Sequence, residues 1–246
     1  MQPVRILIVA TSHDKMGDTD RKTGLWLHEL AIPYYLFREA DCIMTLVSPK
    51  GGRVPLDPKS ESIIAANSAT KRFMKDPEAM EMMKHSDILG TQKAESFDIL
   101  FLTGGHGAMW DFPCNNCLQA LAEDFNNRDK LIGAVSHGSA GLLSPLNISG
   151  EPLVKGRQIT GFSNSEEHAS GLKSILPFLL GISLVALGAV YTKRPDFLSH
   201  LVTDRNIITG QNAASSMEVA TKLLYCMKKT INKQKTTALG ENGHGK

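Results

Sequence analysis

A serine and a histidine stand side by side where a short apolar segment ends. Ser136 and His137 follow the apolar run Leu131–Val135, and small residues come directly after them. This pattern predicts a strand, a sharp turn and a helix, a geometry in which enzymes project a nucleophile into solvent beside backbone N–H groups. Nucleophilic attack by Ser136 is therefore one interpretation. A serine that only caps the helix is the other, and the pattern alone favours it.

Two glycines end a neighbouring apolar segment. Gly104 and Gly105 follow the run 97–103, and His106 comes next. Parallel sheets bind ligands at the carboxyl ends of their strands, so we expect this segment to lie beside the serine. The unobstructed amides of the two glycines could form part of an oxyanion hole, with His106 at the substrate. A tight turn that needs glycine for its backbone angles is the alternative.

Three glutamates are candidates for acid–base chemistry. Glu29 belongs to a predicted helix near the start of the chain, where its carboxyl could point back at Ser136 and stay protonated through burial. Glu166 and Glu167 follow a short β segment, and one of them could orient His137 as the acid of a catalytic triad does. A solvated helix position explains Glu29 equally. For the pair, acids that favour the first turn of a helix are the stronger explanation.

The cysteines and histidines do not make up the complete ligand pattern of a metal site. Cys114 and Cys117 have redox or metal spacing, but no second Cys or His pair stands near them. The eight histidines form no His-x-x-x-His pattern. We therefore expect no metal ion and no cofactor, and a structural role for both cysteines.

The composition fits one α/β domain over residues 1–231. A chain of 246 residues with 42% hydrophobic side chains can bury a full core. Its formal charge of +2 gives no electrostatic reason to bind nucleic acid or an acidic membrane. The few cysteines and the absence of a secretory-signal pattern predict a cytoplasmic protein. The polar segment 232–246 is typical of a disordered tail.

Strand and helix patterns alternate along the chain. Apolar runs rich in Val, Ile and Leu are typical of strands covered on both faces, and helix candidates lie between them. This alternation predicts a parallel, doubly wound sheet. We expect Pro33 to kink or divide the first helix. The predicted strands cover 6–10, 42–48, 97–103 and 131–135, with a β excursion at 153–154 and 158–162 and late strands at 201–202 and 206–208. The predicted helices cover 23–40, parts of 60–92 and 111–128, 175–190 and 213–231.

The segment 175–190 contains no charged residue. It is shorter than the roughly 20 residues that span a bilayer, and Pro177, Gly181 and Gly188 interrupt it. We therefore expect a buried or interface helix and no membrane span.

Several dispersed motifs, in the right order, together resemble the ThiJ/PfpI superfamily, and within it the heat-shock chaperone and glyoxalase III branch. The resemblance runs from about residue 6 to about residue 224. The strongest motifs are Ala134-Val-Ser-His-Gly-Ser-Ala-Gly141, Thr103-Gly-Gly-His-Gly-Ala-Met-Trp-Asp-Phe-Pro113 and Thr23-Gly-Leu-Trp-Leu-His-Glu29, with further matches at 48–52, 159–162 and 209–215.

The resemblance implies both a fold and an active site. The implied fold is a flavodoxin-like, doubly wound and mostly parallel sheet with helices on both faces, related to class I glutamine amidotransferases. The family's cysteine on the elbow, the following histidine, an acid and a glutamate of the first helix fall on Ser136, His137, Glu167 and Glu29. The implied activity is cofactor-free conversion of methylglyoxal, a small reactive carbonyl compound, to D-lactate in carbonyl-stress defence. We also expect a homodimer.

Serine stands where the family has cysteine. A thiol with a pKa of about 8.5 is easily drawn to thiolate, whereas a serine hydroxyl needs a well-placed base. His137 directly follows Ser136, so the sequence does not guarantee that its ring reaches the hydroxyl. We therefore expect reduced glyoxalase activity from Ser136. A second departure is the apolar stretch 181–186, where family members tend to carry charged residues.

Two other functions remain open at this point. The chain could be an inactive family member, a pseudoenzyme that acts as a holdase chaperone on unfolded client proteins or as a binding protein. It could also be a serine hydrolase or peptidase that uses Ser136 and His137.

Overall fold

The structure, a computed structural model, describes residues 3–62 and 67–241, and side chains up to residue 232. Seven strands of this part of the chain form one sheet, and a separate pair of strands forms a second. The strands are β1 (Arg5–Val9), β2 (Ile43–Ser48), β3 (Asp87–Ile88), β4 (Ile99–Leu102), β5 (Leu131–Val135), β6 (Gln158–Ile159), β7 (Val190–Tyr191), β8 (Leu201–Asp204) and β9 (Ile207–Gly210).

The large sheet has the strand order β3-β2-β1-β4-β5-β9-β8. All neighbouring strands run parallel except β8 and β9, which pair antiparallel at one edge. The smaller sheet is the parallel pair of β6 and β7. The carboxyl ends of β1, β4 and β5 therefore lie side by side, which is where a parallel sheet binds ligands.

Helices cover both faces of the large sheet. Along β1, Leu7 and Val9 belong to one hydrophobic core, whereas Ile6 and Ile8 belong to the other, as the two-residue period of a strand requires. Residues of α5 pack in the first core, and residues of α1 and α8 pack in the second. The predicted flavodoxin-like α/β fold is thus confirmed. The helices are α1 (His28–Glu39), α2 (Ser68–Phe73), α3 (Pro77–Lys84), α4 (Ala108–Asp111), α5 (Asn116–Asn127), α6 (Asn164–Ser170), α7 (Leu180–Ala186) and α8 (Ser216–Glu241).

Local packing changes several of the predicted elements. The first helix begins at His28, and Pro33 lies inside it without dividing it. Leu153 and Val154 were predicted as part of a β excursion, but they lie in a turn. Their side chains are buried in the hydrophobic core. The edge strand β3 was not predicted, because a strand of two residues is too short to show an alternation of apolar and polar side chains.

The uncharged segment 175–190 contains the short helix α7 and is not buried throughout. Leu180 and Leu184 are buried in the core, but Ile182 and Val185 are each 55% exposed. The helix therefore buries one face only, and the prediction of one helix over the whole segment was too long. Within the described residues, no helix combines the length and apolar character needed to cross a membrane.

The last helix extends past the predicted end at residue 231. Its backbone is helical to Glu241, although a disordered tail was predicted from residue 232. Lysine, glutamine and alanine are good helix formers, and no proline or glycine interrupts 232–239, so the composition of this stretch also permits a helix. Residues 242–246 of the predicted tail lie outside the described part of the chain.

Candidate active site

Ser136 stands at the sharp turn after β5. A 3₁₀ segment, Ser136–Leu142, replaces the predicted helix start, and Ser136 has a φ of +56°. A non-glycine residue in this left-handed region is uncommon and marks a strained position. The serine was expected to project into solvent, but it is only 1% exposed. It lines a cavity to which segments from other parts of the chain also contribute.

His137 connects Ser136 to Glu167. The Oγ atom of Ser136 lies 3.3 Å from Nδ1 of His137, and Nε2 of His137 lies 2.5 Å from Oε1 of Glu167. A carboxylate only accepts, so the proton between the last two belongs to Nε2. Nδ1 is then free to accept the Ser136 hydroxyl proton. The three side chains have the connectivity of a nucleophile, a base and an orienting acid.

The charges of this group follow from burial and from the neighbouring rings. Burial is the main cause that lowers the pKa of His137, and His106 lowers it further. Burial opposes the ionisation of Glu167, but His137 and His106 together lower the pKa of its carboxyl to about 2. A neutral imidazole beside an ionised carboxylate is the state in which His137 can act as a base.

His106 takes a different position from the one expected. Its Nε2 atom donates to Oε2 of Glu167 over 3.1 Å, and its ring lies 4.2 Å from the ring of His137. His106 also lines the cavity, but its ring nitrogen is directed at the acid. Glu167 therefore receives hydrogen bonds from two histidines, which fixes its orientation.

Glu29 reaches the same cavity from the second residue of α1. It is 2% exposed, and its Oε2 atom has no hydrogen-bond partner among the described residues. Burial raises the pKa of its carboxyl well above the usual value, and the nearby Ser136 hydroxyl and Gly104 backbone only partly oppose this. Burial therefore favours the protonated form of Glu29, which can donate a hydrogen bond.

The glycine pair Gly104-Gly105 leaves the room that this carboxyl needs. A Cβ atom on Gly104 would lie 2.2 Å from Oε2 of Glu29. Gly105 has a φ of +99°, and a Cβ atom there would lie 2.3 Å from the carbonyl oxygen of Gly24. Within the described residues, the backbone N–H groups of Gly105 and His106 have no acceptor. These two amides, of which the sequence predicted the first, are candidates for an oxyanion hole.

The cavity has a volume of about 250 Å³. Aromatic rings form much of its wall, and its size suits a small molecule. The lining residues are Trp26, Glu29, Gly105, His106, Ser136, His137, Phe162, Ser170, Phe197, Asn212, Ala213 and Ala214.

Glu166 holds one wall of the cavity and does not contact His137. Its carboxylate is fully buried and accepts hydrogen bonds from the Phe197 amide (2.8 Å), the Asn212 side chain (2.7 Å) and the Ser163 amide (2.9 Å). Phe197 has a φ of +62° at this anchor, and its ring lies 6.4 Å from that of Phe162. The structure thus separates the glutamate pair: Glu167 forms a hydrogen bond with His137, and Glu166 forms one with the backbone of the Phe197 segment.

Sequence reasoning missed Trp26, Phe197 and Asn212 as cavity residues. Phe197 lies in an irregular segment between β7 and β8, where no periodicity marks a position. Trp26 and Asn212 stand inside motifs that carried the family resemblance, which was the available signal.

Three side chains of types that can bind a metal ion lie close together in the structure, although they are far apart in the sequence. Nitrogen and oxygen atoms of His106, His137 and Glu167 lie within 4.8 Å of one another, although the residues come from three separate segments. Their mutual hydrogen bonds account for this arrangement. Cys114 and Cys117 are exposed, and neither lines the cavity.

Comparisons with known proteins agree on one family. The model of the DJ-1/PfpI family matches residues 23–225. Glyoxalase 3 of Candida albicans is 30% identical over 231 residues, which cover 88% of this chain and 95% of the relative. The glutathione-independent glyoxalase HSP31 of Saccharomyces cerevisiae is 28% identical over 239 residues, which cover 93% of this chain and 100% of the relative.

A solved structure agrees with the same fold. The X-ray structure of the Francisella tularensis Rapid Encystment Protein 24 KDa superposes with a TM-score of 0.86 at 36% sequence identity. The match covers 89% of this chain and 97% of the other.

Proposed function

This chain belongs to the DJ-1/PfpI family, and from that premise we propose that it is a glutathione-independent glyoxalase, which converts methylglyoxal and water to D-lactate. The names of the curated relatives support the reaction. The contact between Ser136 and His137, backed by Glu167, is the observation that carries the proposal, because it supplies an activated nucleophile in a cavity of suitable size.

The first step is addition of the serine to the aldehyde. The Oγ atom of Ser136 attacks the aldehyde carbon while Nδ1 of His137 takes the hydroxyl proton. The N–H groups of Gly105 and His106 stabilise the negative charge that develops on the aldehyde oxygen. His137 then returns the proton to that oxygen, which leaves a neutral hemiacetal on Ser136.

The second step moves hydrogen between the two substrate carbons. Neutral His137 removes the proton from the former aldehyde carbon while neutral Glu29 donates its proton to the ketone oxygen, and a serine-bound enediol forms. His137 protonates the second carbon, and the Glu29 carboxylate recovers a proton from the hydroxyl on the first carbon. The product is a lactoyl ester of Ser136. The raised pKa of Glu29 suits this role because it keeps the acid protonated before the step.

The last step is hydrolysis of that ester. His137 takes a proton from water, the resulting hydroxide attacks the ester carbonyl, and Ser136 leaves with the proton from His137. Lactic acid is released and loses its proton to solvent to give lactate, and the starting protonation states of the side chains return.

The serine sets the speed of the first step. The family resemblance places a cysteine at this position, and a thiolate adds to aldehydes faster than a hydroxyl that must lose its proton during attack. The proposed glyoxalase is therefore slow in comparison with a version that carries cysteine.

Incubation of the protein with methylglyoxal in the absence of glutathione tests the proposal, with lactate measured by NMR and its chirality by D-lactate dehydrogenase. We expect D-lactate from the unaltered protein, none above background from Ser136→Ala, and faster formation by Ser136→Cys, by about tenfold or more. Ser149→Ala, at an exposed loop serine, is the matched control and should not differ from the unaltered protein. Equal lactate formation by Ser136→Ala and the unaltered protein would refute the mechanism.

A further inference from the structure

We infer that Ser136, His137 and Glu167 also hydrolyse carboxylic esters of small uncharged acids. This activity needs no dicarbonyl substrate and no hydrogen transfer between carbons, so it is independent of the proposed glyoxalase reaction.

The nucleophile has the backbone geometry of a hydrolase elbow. Ser136 follows a central parallel strand directly, adopts a left-handed φ of +56° and faces the cavity. In serine hydrolases with this strand-to-helix turn, the strain holds the hydroxyl against the substrate. The family resemblance implies a reaction that uses the sulfur of a cysteine at this position. Ester hydrolysis, in contrast, can use the hydroxyl of a serine as its nucleophile.

The base and the acid are arranged as hydrolysis requires. Nδ1 of His137 lies 3.3 Å from the Ser136 hydroxyl, slightly longer than a tight hydrogen bond, as is common before substrate binds. The carboxylate of Glu167 holds the opposite ring nitrogen at 2.5 Å. The hydrogen bond from His106 to Glu167 leaves the carboxylate little freedom to rotate away.

Backbone N–H groups at the cavity can stabilise the negative charge of the tetrahedral intermediate. Gly105 and His106 line the cavity, and their backbone N–H groups have no acceptor within the described residues. Backbone donors at this position are the usual oxyanion stabilisers in acyl transfer.

The size and lining of the cavity determine which acyl groups it can accept. Its volume of about 250 Å³ and its aromatic walls, which include the rings of Phe162 and Phe197, suit a short acyl group. Of the described residues that line it, none is lysine or arginine, so no cation favours a charged acyl group such as a peptide with a free carboxylate. Short uncharged acyl esters fit best.

The reaction balances without a cofactor. Oγ of Ser136 bonds to the ester carbonyl carbon and its proton passes to His137, the carbon–oxygen bond to the alcohol breaks, and His137 protonates the departing alcohol. Water then attacks the acyl-serine with His137 as base, which releases the acid and restores Ser136.

The experiment uses p-nitrophenyl acetate and p-nitrophenyl octanoate, with a fluorophosphonate probe as an independent readout. We expect the unaltered protein to hydrolyse the acetate about a thousandfold faster than Ser136→Ala or Glu167→Gln. The octanoate should react about tenfold more slowly than the acetate or worse. Ser149→Ala should match the unaltered protein, and peptide mapping should place the fluorophosphonate on Ser136.

Acetate hydrolysis by Ser136→Ala at the rate of the unaltered protein would overturn the inference. So would a failure of the fluorophosphonate to label Ser136, a readout that uses the unaltered protein and needs no variant to fold. Equal rates of hydrolysis of the octanoate and the acetate would overturn the inferred preference for short acyl groups. Ester hydrolysis without lactate formation would refute the proposed glyoxalase function and support this inference. Lactate formation without ester hydrolysis would support the glyoxalase function and refute this inference.

Discussion

Nδ1 of His137 lies 3.3 Å from Oγ of Ser136, although the two residues are neighbours in the chain. Adjacent side chains on an extended strand point to opposite faces. The left-handed φ of Ser136 removes this alternation and turns both side chains into one cavity. The proposed chemistry depends on this contact and on the carboxylate that supports it.

Replacement of Glu167 by glutamine should impair catalysis far more than binding. A carboxamide can donate a hydrogen bond to Nε2 of His137, which would place the ring proton on Nδ1 and remove the base. We expect kcat for methylglyoxal to fall by about 10² to 10⁴ with KM little changed, as steady-state kinetics will show. Glu218→Gln, at an exposed position, is the control. An unchanged kcat would mean that Glu167 does not orient the base.

The acid limb of the pH–rate profile should lie below the usual histidine range. Burial, and then His106, lower the pKa of His137, so the ring stays neutral and basic as the pH falls through 6.5. We expect kcat/KM to remain constant through that pH and to decline only in more acidic solution. In His106→Gln, the loss of the neighbouring ring should move the decline to higher pH. A decline centred above pH 6.5 in the unaltered protein would contradict this assignment.

Glu29→Gln should become relatively more stable as the pH rises. The folded protein holds the Glu29 proton well above the usual pKa of 4.5, whereas the unfolded chain releases it near that value. The contribution of Glu29 is therefore fully present below pH 4.5 and is lost as the pH rises through the folded pKa. Urea unfolding at pH 5 and at pH 8 will measure the difference between the two proteins.

The control for that experiment is Glu39→Gln on the same helix, since the Glu39 side chain is 65% exposed. The change in stability difference between pH 5 and pH 8 should be larger for Glu29→Gln than for Glu39→Gln. If the Glu29→Gln difference is the same at both pH values, the carboxyl of Glu29 is not a buried neutral acid.

Phe197→Ala should widen the range of substrates. Phe197 lines the cavity, and Glu166 accepts a hydrogen bond from its backbone amide. We expect the ratio of kcat/KM for phenylglyoxal to that for methylglyoxal to rise by about tenfold. Leu198→Ala is the matched control, because Leu198 is 56% exposed and does not line the cavity. An unchanged ratio would show that Phe197 does not limit substrate size.

The layered fold was accessible from the sequence because its strands are buried on both faces. Continuous apolar runs marked β1, β4 and β5 within two residues at each end, and they delivered Ser136 and Gly104 to the correct edge of the sheet. Short or irregular elements such as β3 and the Phe197 segment gave no periodic signal. Helix ends depended on packing and on propensity that composition alone does not reveal, as the extension of α8 shows.

The site was only partly predictable. The family resemblance assigned Glu167 and Glu29, whereas the residues alone favoured a simpler explanation for the pair Glu166 and Glu167 and left one open for Glu29. No one-dimensional pattern could show that the His137 ring reaches the Ser136 hydroxyl, because this depends on one backbone angle. The hydrogen bond from His106 to Glu167 joins segments 61 residues apart and was equally hidden.

The central claim is that Ser136 forms the covalent bond to substrate, and rapid-quench mass spectrometry tests it most directly. The protein would be mixed with methylglyoxal, quenched in acid within milliseconds and digested, and Ser136→Ala would be treated identically because methylglyoxal also modifies arginine side chains. We predict an adduct of one methylglyoxal on the peptide that carries Ser136, formed before the first turnover is complete and absent from the variant. The same adducts in both proteins, with none on Ser136, would contradict the claim.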